Sequence, residues 1–318
     1  MIPPVRPIEL TDIETARTNV VSTVLRTPLV RLDLEASAPE IWLKLENLQP
    51  TNAYKIRGAA NAVAKLSDEE RARGVWTISA GNAGQGVAYA ARAAGIPCSV
   101  VAIETAPQTK LDRMRALGAT IVPVSYEDAW KAAEAHAFEG LNGTFIHPFD
   151  NHDFIAGHGT MGLEIVEQLP EVKTVIAAIG GGGLITGVGS ALDALPPSGR
   201  IIGAEPETAA PYAYSLAQGA PSRFPGWQAS FVDGAGGKSV TERMWQRMQP
   251  IVDGTITVSL DQTRNAMRVI AEKARTIAEG AGALSLAAAL TGQAGDGPIV
   301  CVVSGGNIDL AKFSELVA

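Results

Sequence analysis

The sequence predicts an α/β protein made of two open, mainly parallel lobes with a ligand in the cleft between them, and three observations predict it. Short β-rich runs alternate with helical periodicity almost throughout the chain. Several of these runs are apolar on both faces, the pattern of strands covered by helices on either side of a parallel sheet. Glycine-, serine- and asparagine-rich loops follow several strands directly, and in open parallel sheets ligands lie in the crevice beyond the carboxyl ends of the strands.

The expected strands are, in order, "IWLKLE" (41–46), "VWTISA" (75–80), "CSVVAI" (98–103), "TIVPVS" (120–125), "TVIAAIG" (174–180), "RIIGAE" (200–205) and "IVCVVSG" (299–305). Between them, "GQGVAYAARAAG" (84–95), "QTKLDRMRALG" (108–118) and "TRNAMRVIAEKARTIA" (263–278) space their charges to leave an apolar face, and the first two end at glycine. The stretch "APSRFPGWQASFVDGAGG" (220–237) is turn-rich and reads as irregular. Residues 71–149 hold three strand–helix units followed by "GTFIHPFDNH", which reads as a small substrate-side domain inserted into a large cofactor-binding one formed by residues 1–70 and 150–318.

Composition narrows the partners. The chain has 318 residues, 46% of them hydrophobic and 19% charged, with a net charge of −7 and no long basic run. A nucleic acid or an anionic membrane is therefore not expected as a partner, and a small solute is. Cys98 and Cys301 each sit inside a strand-like apolar run, without disulfide or zinc spacing. The start "MIPPVRPIELTDIE" lacks the basic and apolar regions of a secretory signal, and no apolar run is long enough to span a bilayer. A soluble cytoplasmic protein is expected.

Four strand-to-loop junctions carry candidate chemistry. Gly180, Gly181, Gly182 and Gly183 precede the helical "LITGVGSAL", where bare backbone can turn tightly and aim amides at a phosphate; close helix–strand packing would use the same glycines. The run lacks the lysine and hydroxyl of a nucleotide P-loop, and no early glycine fingerprint supports a dinucleotide fold. Lys55, in "TNAYKIRGAANAV", is either a solvated lysine at a helix start or a Schiff-base lysine, whose amine would need desolvation or a neighbouring positive charge such as Arg57. "SAGNAGQG" (79–86) offers a hydroxyl, an amide and backbone NH groups suited to a carboxylate, although serine and asparagine also cap helices. Ser304 in "SGGN" has the same two readings. His136, His147, His152 and His158 lack metal-ligand spacing.

Five motifs, "LENLQPTNAYKIRGA", "SAGNAGQGVA", "IGGGGLITG", "IAEGAGA" and "SGGNID", occur in the order seen in serine/threonine dehydratases, and from about Leu29 to Leu310 the chain resembles that family. The resemblance implies pyridoxal-phosphate enzymes of the tryptophan-synthase-β fold. By similarity Lys55 would bind the cofactor covalently and act as the catalytic base. Gly180, Gly181, Gly182, Gly183 and Leu184 would hold its phosphate, Asn82 its ring hydroxyl, and Ser304 its pyridine nitrogen. Ser79, Ala80, Gly81, Asn82 and Ala83 would receive the substrate carboxylate. The implied reaction converts a β-hydroxy amino acid into a 2-oxo acid and ammonia, in a homodimer. β-Replacement and racemisation are the enzymatic alternatives, a cofactor-binding protein that has lost catalysis is the reading from another class, and a nicotinamide-dependent dehydrogenase reading of the glycine loop is a third.

Several residues depart from the family pattern. Ala53 stands where relatives carry serine, Tyr54 where they carry phenylalanine and Ala83 where they carry histidine, so the substrate pocket is expected to be atypical. Ala80 replaces the serine that serine racemases use as their second acid–base group. A cation site in relatives uses an acid matching Glu205, a nearby backbone carbonyl and a second acid, which is Pro211 here, so no metal is expected and Glu205 reads instead as a surface carboxylate at a strand end. Glu279 would either border the cofactor or cap local structure. The chain ends soon after "SGGNIDL", and a regulatory extension is not expected.

Overall fold

The chain enters through helix α1 (Leu10–Val20), the antiparallel pair β1 (Leu29–Arg31) and β2 (Ile41–Lys44), and a 3-10 turn at Glu46–Leu48. This computed structural model describes residues 2–35, 39–106, 108–195 and 199–318. Helix α2 (Lys55–Ala64) and the short α3 (Asp68–Arg73) then lead into a second sheet. That sheet is built from β3 (Val75–Ile78), α4 (Asn82–Ala94), β4 (Cys98–Ile103), α5 (Gln108–Ala116), β5 (Thr120–Val124), α6 (Tyr126–Ala135) and β6 (Thr144–Phe145). Its strands are parallel in the order β5-β4-β3-β6.

Helix α7 (His152–Gln168) returns the chain to the first sheet, followed by β7 (Thr174–Ala178), α8 (Gly183–Asp193), β8 (Arg200–Pro206) and α9 (Pro211–Gln218). Helix α10 (Glu242–Met248), β9 (Gly254–Val258), α11 (Leu260–Ala274), α12 (Gly280–Leu290), β10 (Ile299–Val302) and α13 (Leu310–Val317) complete it. The six strands lie in the order β1-β2-β10-β7-β8-β9, parallel except for β1.

Both faces of the large sheet are buried, which explains the doubly apolar strands. Ile176 and Cys301 point into a core with Met267 and Ile270 of α11 and Leu284 of α12. Val175, Ala177, Val300 and Val302 point the other way, against Ile155 and Met161 of α7 and Ile185 and Val188 of α8. The core of the four-stranded sheet also takes Ala59, Ala62 and Val63 from α2 and Phe154 from α7, so these two helices lie between the lobes. Both cysteines are free and buried.

Some boundaries differ from expectation. "IWLKLE" leaves the sheet after Lys44, because Glu46 turns to meet Arg57. The helix expected over 263–278 instead spans Leu260–Ala274, and Arg275 stops it with a left-handed φ of 53°. Residues 220–237 are irregular apart from a 3-10 turn at Asp233–Ala235. Among the described residues no helix is long and apolar enough to cross a membrane.

Candidate active site

Lys55 is the first residue of α2, and its Nζ donates to the carbonyl of Pro148 at 2.6 Å. The rings of Tyr54 and Phe154 lie 5.2 and 5.4 Å from the nitrogen. The side chain still opens onto a cavity, yet enough protein surrounds the amine that desolvation alone lowers its pKa to about 7. Burial disfavours the charged form when no anion compensates it.

The cavity, about 430 Å³, lies between the lobes and is lined by Lys55, Ser79, Ala80, Gly81, Asn82 and Ala83, together with Gly181 and Ser304. That volume is within the usual range for small-molecule sites. Local backbone pairing gathers these loops. The Tyr54 NH donates to the Ser304 carbonyl at 3.0 Å, and Ala53 bridges Gly305, so the lysine turn is sewn to the loop after β10. Ser304 caps no helix; its hydroxyl donates to the Ala281 carbonyl at 3.4 Å. Ser79 Oγ accepts from the Gly81 NH at 3.0 Å, which folds the loop before α4.

The glycine run bridges β7 and α8. Gly182 has a φ of 89°, a conformation that side chains resist, and it occupies the N-cap of α8 without any side-chain cap. The leading NH groups of a helix have no intrahelical acceptors, so this uncapped start is an anion-binding arrangement. Of the four glycines only Gly181 lines the cavity; a side chain there would strike the Phe149 ring, 2.2 Å from its first carbon. Leu184 is buried in the core behind the loop.

A desolvated lysine, an uncapped glycine-flanked helix start, an amide and a neutral hydroxyl around one cavity are a donor set that fits an aldehyde bearing a phosphate and a pyridine ring. The family profile described as pyridoxal-phosphate dependent enzyme matches residues 20–305. The chain belongs to this family. It is 38% identical over 315 residues to an L-threonine ammonia-lyase of Thermotoga maritima, covering 98% of this chain and 78% of that one. Among solved structures, maize serine racemase superposes with a TM-score of 0.89 at 33% identity, over 98% of this chain and 97% of that one. A threonine deaminase from T.th. superposes with a TM-score of 0.87 at 34% identity, over 95% and 99%. The cofactor is pyridoxal phosphate, and the fold is that of the tryptophan-synthase-β type.

In this pyridoxal-phosphate enzyme Arg57 does not act on Lys55, contrary to the sequence expectation. It is fully buried and doubly bidentate, bonding Glu46 at 2.7 and 2.8 Å and Glu164 at 2.8 and 2.9 Å. Lys44 adds a 2.6 Å bond to Glu164. The charge of Arg57 is spent inside the fold, and the lowered pKa of Lys55 comes from burial.

Asn82 is held from both ends. Its Nδ2 donates to Glu279 Oε1 at 2.6 Å, and its Oδ1 accepts from Asn307 Nδ2 at 2.8 Å. Burial, then the nearby charge of Asp233, raises the Glu279 carboxyl to about 7. Sequence reasoning quoted Asn307 within "SGGN" without a role, and it gave none to Pro148 or Phe149, whose only signal was their place in "HPFD" after a strand.

The other candidates lie outside this cavity. Glu205 accepts from the NH groups of Tyr212 and Ala213 at 2.8 and 2.7 Å and so anchors the start of α9. It is fully buried rather than a surface carboxylate. Among the described residues no three His, Cys, Asp or Glu side chains are grouped to hold a metal ion. His158 is buried between Tyr54 and Phe154. His147 accepts from the Phe149 and Asp150 NH groups, and desolvation pushes its pKa down to about 3.

Proposed function

We propose that the chain is a pyridoxal-phosphate-dependent ammonia-lyase that converts a β-hydroxy amino acid into a 2-oxo acid and ammonia. The observation that carries this reading is the amine of Lys55, desolvated and bonded to a backbone carbonyl, in the same cavity as the glycine loop and Ser304. The names of the relatives, threonine ammonia-lyase and threonine deaminase, support it. Gly180, Gly181, Gly182, Gly183 and Leu184 hold the phosphate through the start of α8. Asn82, fixed by Glu279 and Asn307, meets the ring hydroxyl, and Ser79 to Ala83 receive the substrate carboxylate.

Pyridoxal phosphate, when bound, draws electrons from the amino acid's α-carbon. Lys55 as a neutral amine accepts the α-proton, the β-carbon–oxygen bond breaks and the oxygen leaves as water. The released enamine is hydrolysed to the 2-oxo acid and ammonia. Ser304 offers the pyridine nitrogen a neutral hydroxyl rather than a carboxylate, which limits carbanion build-up and favours elimination over transamination. At Ala80 a methyl group stands where a racemase needs a proton carrier. A cytoplasmic homodimer, with residues 71–149 as its substrate-side domain, belongs to the same proposal.

The test is the absorbance of the purified holoenzyme, followed by 2-oxo acid release from serine, threonine and 3-substituted relatives, with Lys55→Ala as control. A cofactor band and product that both depend on Lys55 are expected; a band without product from any β-hydroxy amino acid sinks the lyase reading.

A further inference from the structure

A second cavity of about 560 Å³ adjoins the first, between the small lobe and the start of α10, and Ile78, Ser79, Ala80, Ile103, Pro148 and Phe149 line both. The two cavities meet at these shared residues, and at Ala80 their common wall carries no more than a methyl group. The inner surface of the second cavity is Ile78, Val101, Ile103 and Phe149, and its outer part is formed by Tyr126 and Trp130 of α6. Tyr126 and Trp130 are 52% and 39% exposed beside the candidate substrate loop, with the Lys238 ammonium over the Tyr126 ring.

Several polar groups around this cavity already have partners, and its carboxylates, Glu134 and Glu242, belong to exposed residues at the rim and accept from Trp130 and Gln246. Arg243 is paired with Asp150 and also bonds the Pro3 carbonyl. The Trp130 indole NH donates to Glu134 at 2.8 Å. His147 is held neutral by burial and by the two backbone NH groups it accepts, and desolvation lowers His136 as well. Inside this rim the wall is Ile78, Val101, Ile103 and Phe149, which offers no charge to an acidic or basic substituent. The first cavity, at about 430 Å³, must already take the cofactor and the amino-acid backbone, so a large group on the β-carbon has its room on the far side of the shared wall.

We infer that this cavity receives the β-substituent of the substrate, and that the preferred substrates are β-hydroxy amino acids with a bulky apolar or aromatic group on the β-carbon. The inference rests on the ammonia-lyase reading and narrows its substrate class. Apolar groups seated in a fitting pocket are worth about tenfold or more in kcat/KM.

With the holoenzyme, 3-phenylserine and 3-hydroxyleucine are expected to exceed serine and threonine in kcat/KM by at least about tenfold. Ala133→Trp, which fills the cavity from α6 away from Lys55, is expected to remove that advantage while leaving serine turnover and the cofactor band unchanged. Phenylalanine and alanine, which carry no β-hydroxyl, give a readout independent of turnover. Calorimetry should show phenylalanine binding about tenfold tighter than alanine in the unaltered protein, and the two binding equally in Ala133→Trp. Serine and threonine as best substrates, or no preference for phenylalanine, overturns the inference. Tight phenylalanine binding without 2-oxo acid from any substrate upholds the pocket and rejects the lyase reading instead.

Discussion

A lysine with the ordinary pKa of about 10.4 is neutral in roughly one molecule per thousand at pH 7.5, whereas an amine held near 7 is mostly neutral there. Since only the neutral amine attacks an aldehyde, the proposed role of Lys55 predicts that its burial sets the pH at which the apoprotein captures its cofactor. Cofactor uptake followed by absorbance should accelerate from pH 6 to 8 with a midpoint near 7 and then level off; a rate still climbing steeply at pH 9 would contradict this. Arg57 gives a different prediction. Arg57→Met leaves the fully buried Glu46 carboxylate without its ion-pair partner and Glu164 with Lys44 alone, and should cost about 3–5 kcal/mol in denaturant unfolding. The lysine's place at a strand-to-loop junction left it either a solvated lysine at a helix start or a reactive amine, and the family motif around it chose between the two. Arg57 was misread because residues two apart on a helix point to nearly opposite sides, so sequence adjacency to Lys55 says nothing of spatial adjacency.

Helix starts position most of the candidate site, since α2, α4 and α8 begin at Lys55, Asn82 and Gly183. Helix α9 is organised differently, with the Glu205 side chain on β8 accepting its leading NH groups. Burial raises the Glu205 carboxyl to about 7, above its ordinary 4.5. A pKa raised by folding gives stability that is fully present below the unfolded value and is lost as pH rises through the folded one. Between pH 5 and 8 the protein should therefore lose on the order of 2–3 kcal/mol through this group, and Glu205→Gln should remove that part of the slope. Unfolding curves of the two proteins that run parallel across this range would refute the assignment. Several elements escaped the sequence reading for physical reasons. β1 and β6 have only three and two residues, too short for a period, and β9 "GTITV" is half-exposed. Helix α12 "GAGALSLAAAL" is buried on every side from Gly280 to Ala289 and therefore carries no amphipathic signal.

Three contacts tie the lobes across the mouth of the cleft. Lys110 of α5 bonds Asp233 at 2.6 Å, Arg113 bonds Asn307 at 2.9 Å, and the Lys238 ammonium lies 4.6 Å from the Tyr126 ring and 4.4 Å from that of Trp227. The Arg113 contact continues through Asn307 to Asn82, so the approach of the lobes also orients the amide at the candidate site. Arg113→Ala should raise KM for the amino acid about fivefold, the worth of one such hydrogen bond, with a smaller effect on kcat. An unchanged KM would mean that the tie is incidental. The two-lobe α/β plan was legible because its strands and loops alternate regularly. These ties were not, since they join side chains more than a hundred residues apart in sequence.

The strand order has a consequence for how the chain is made. β10 comes last in sequence among the strands, yet it lies between β2 and β7 in the large sheet. A polypeptide leaving the ribosome can close its four-stranded sheet once residue 145 has emerged, while the large sheet waits as two separate halves, β1-β2 and β7-β8-β9. Each half then shows an unpaired edge to its neighbours in the cell, the kind of edge that recruits foreign strands. Only when residues 299–302 arrive are both edges covered, and Ser304 reaches the candidate site cavity in the same movement. Nascent chains halted before β10 should therefore need chaperone protection and be unable to retain pyridoxal phosphate.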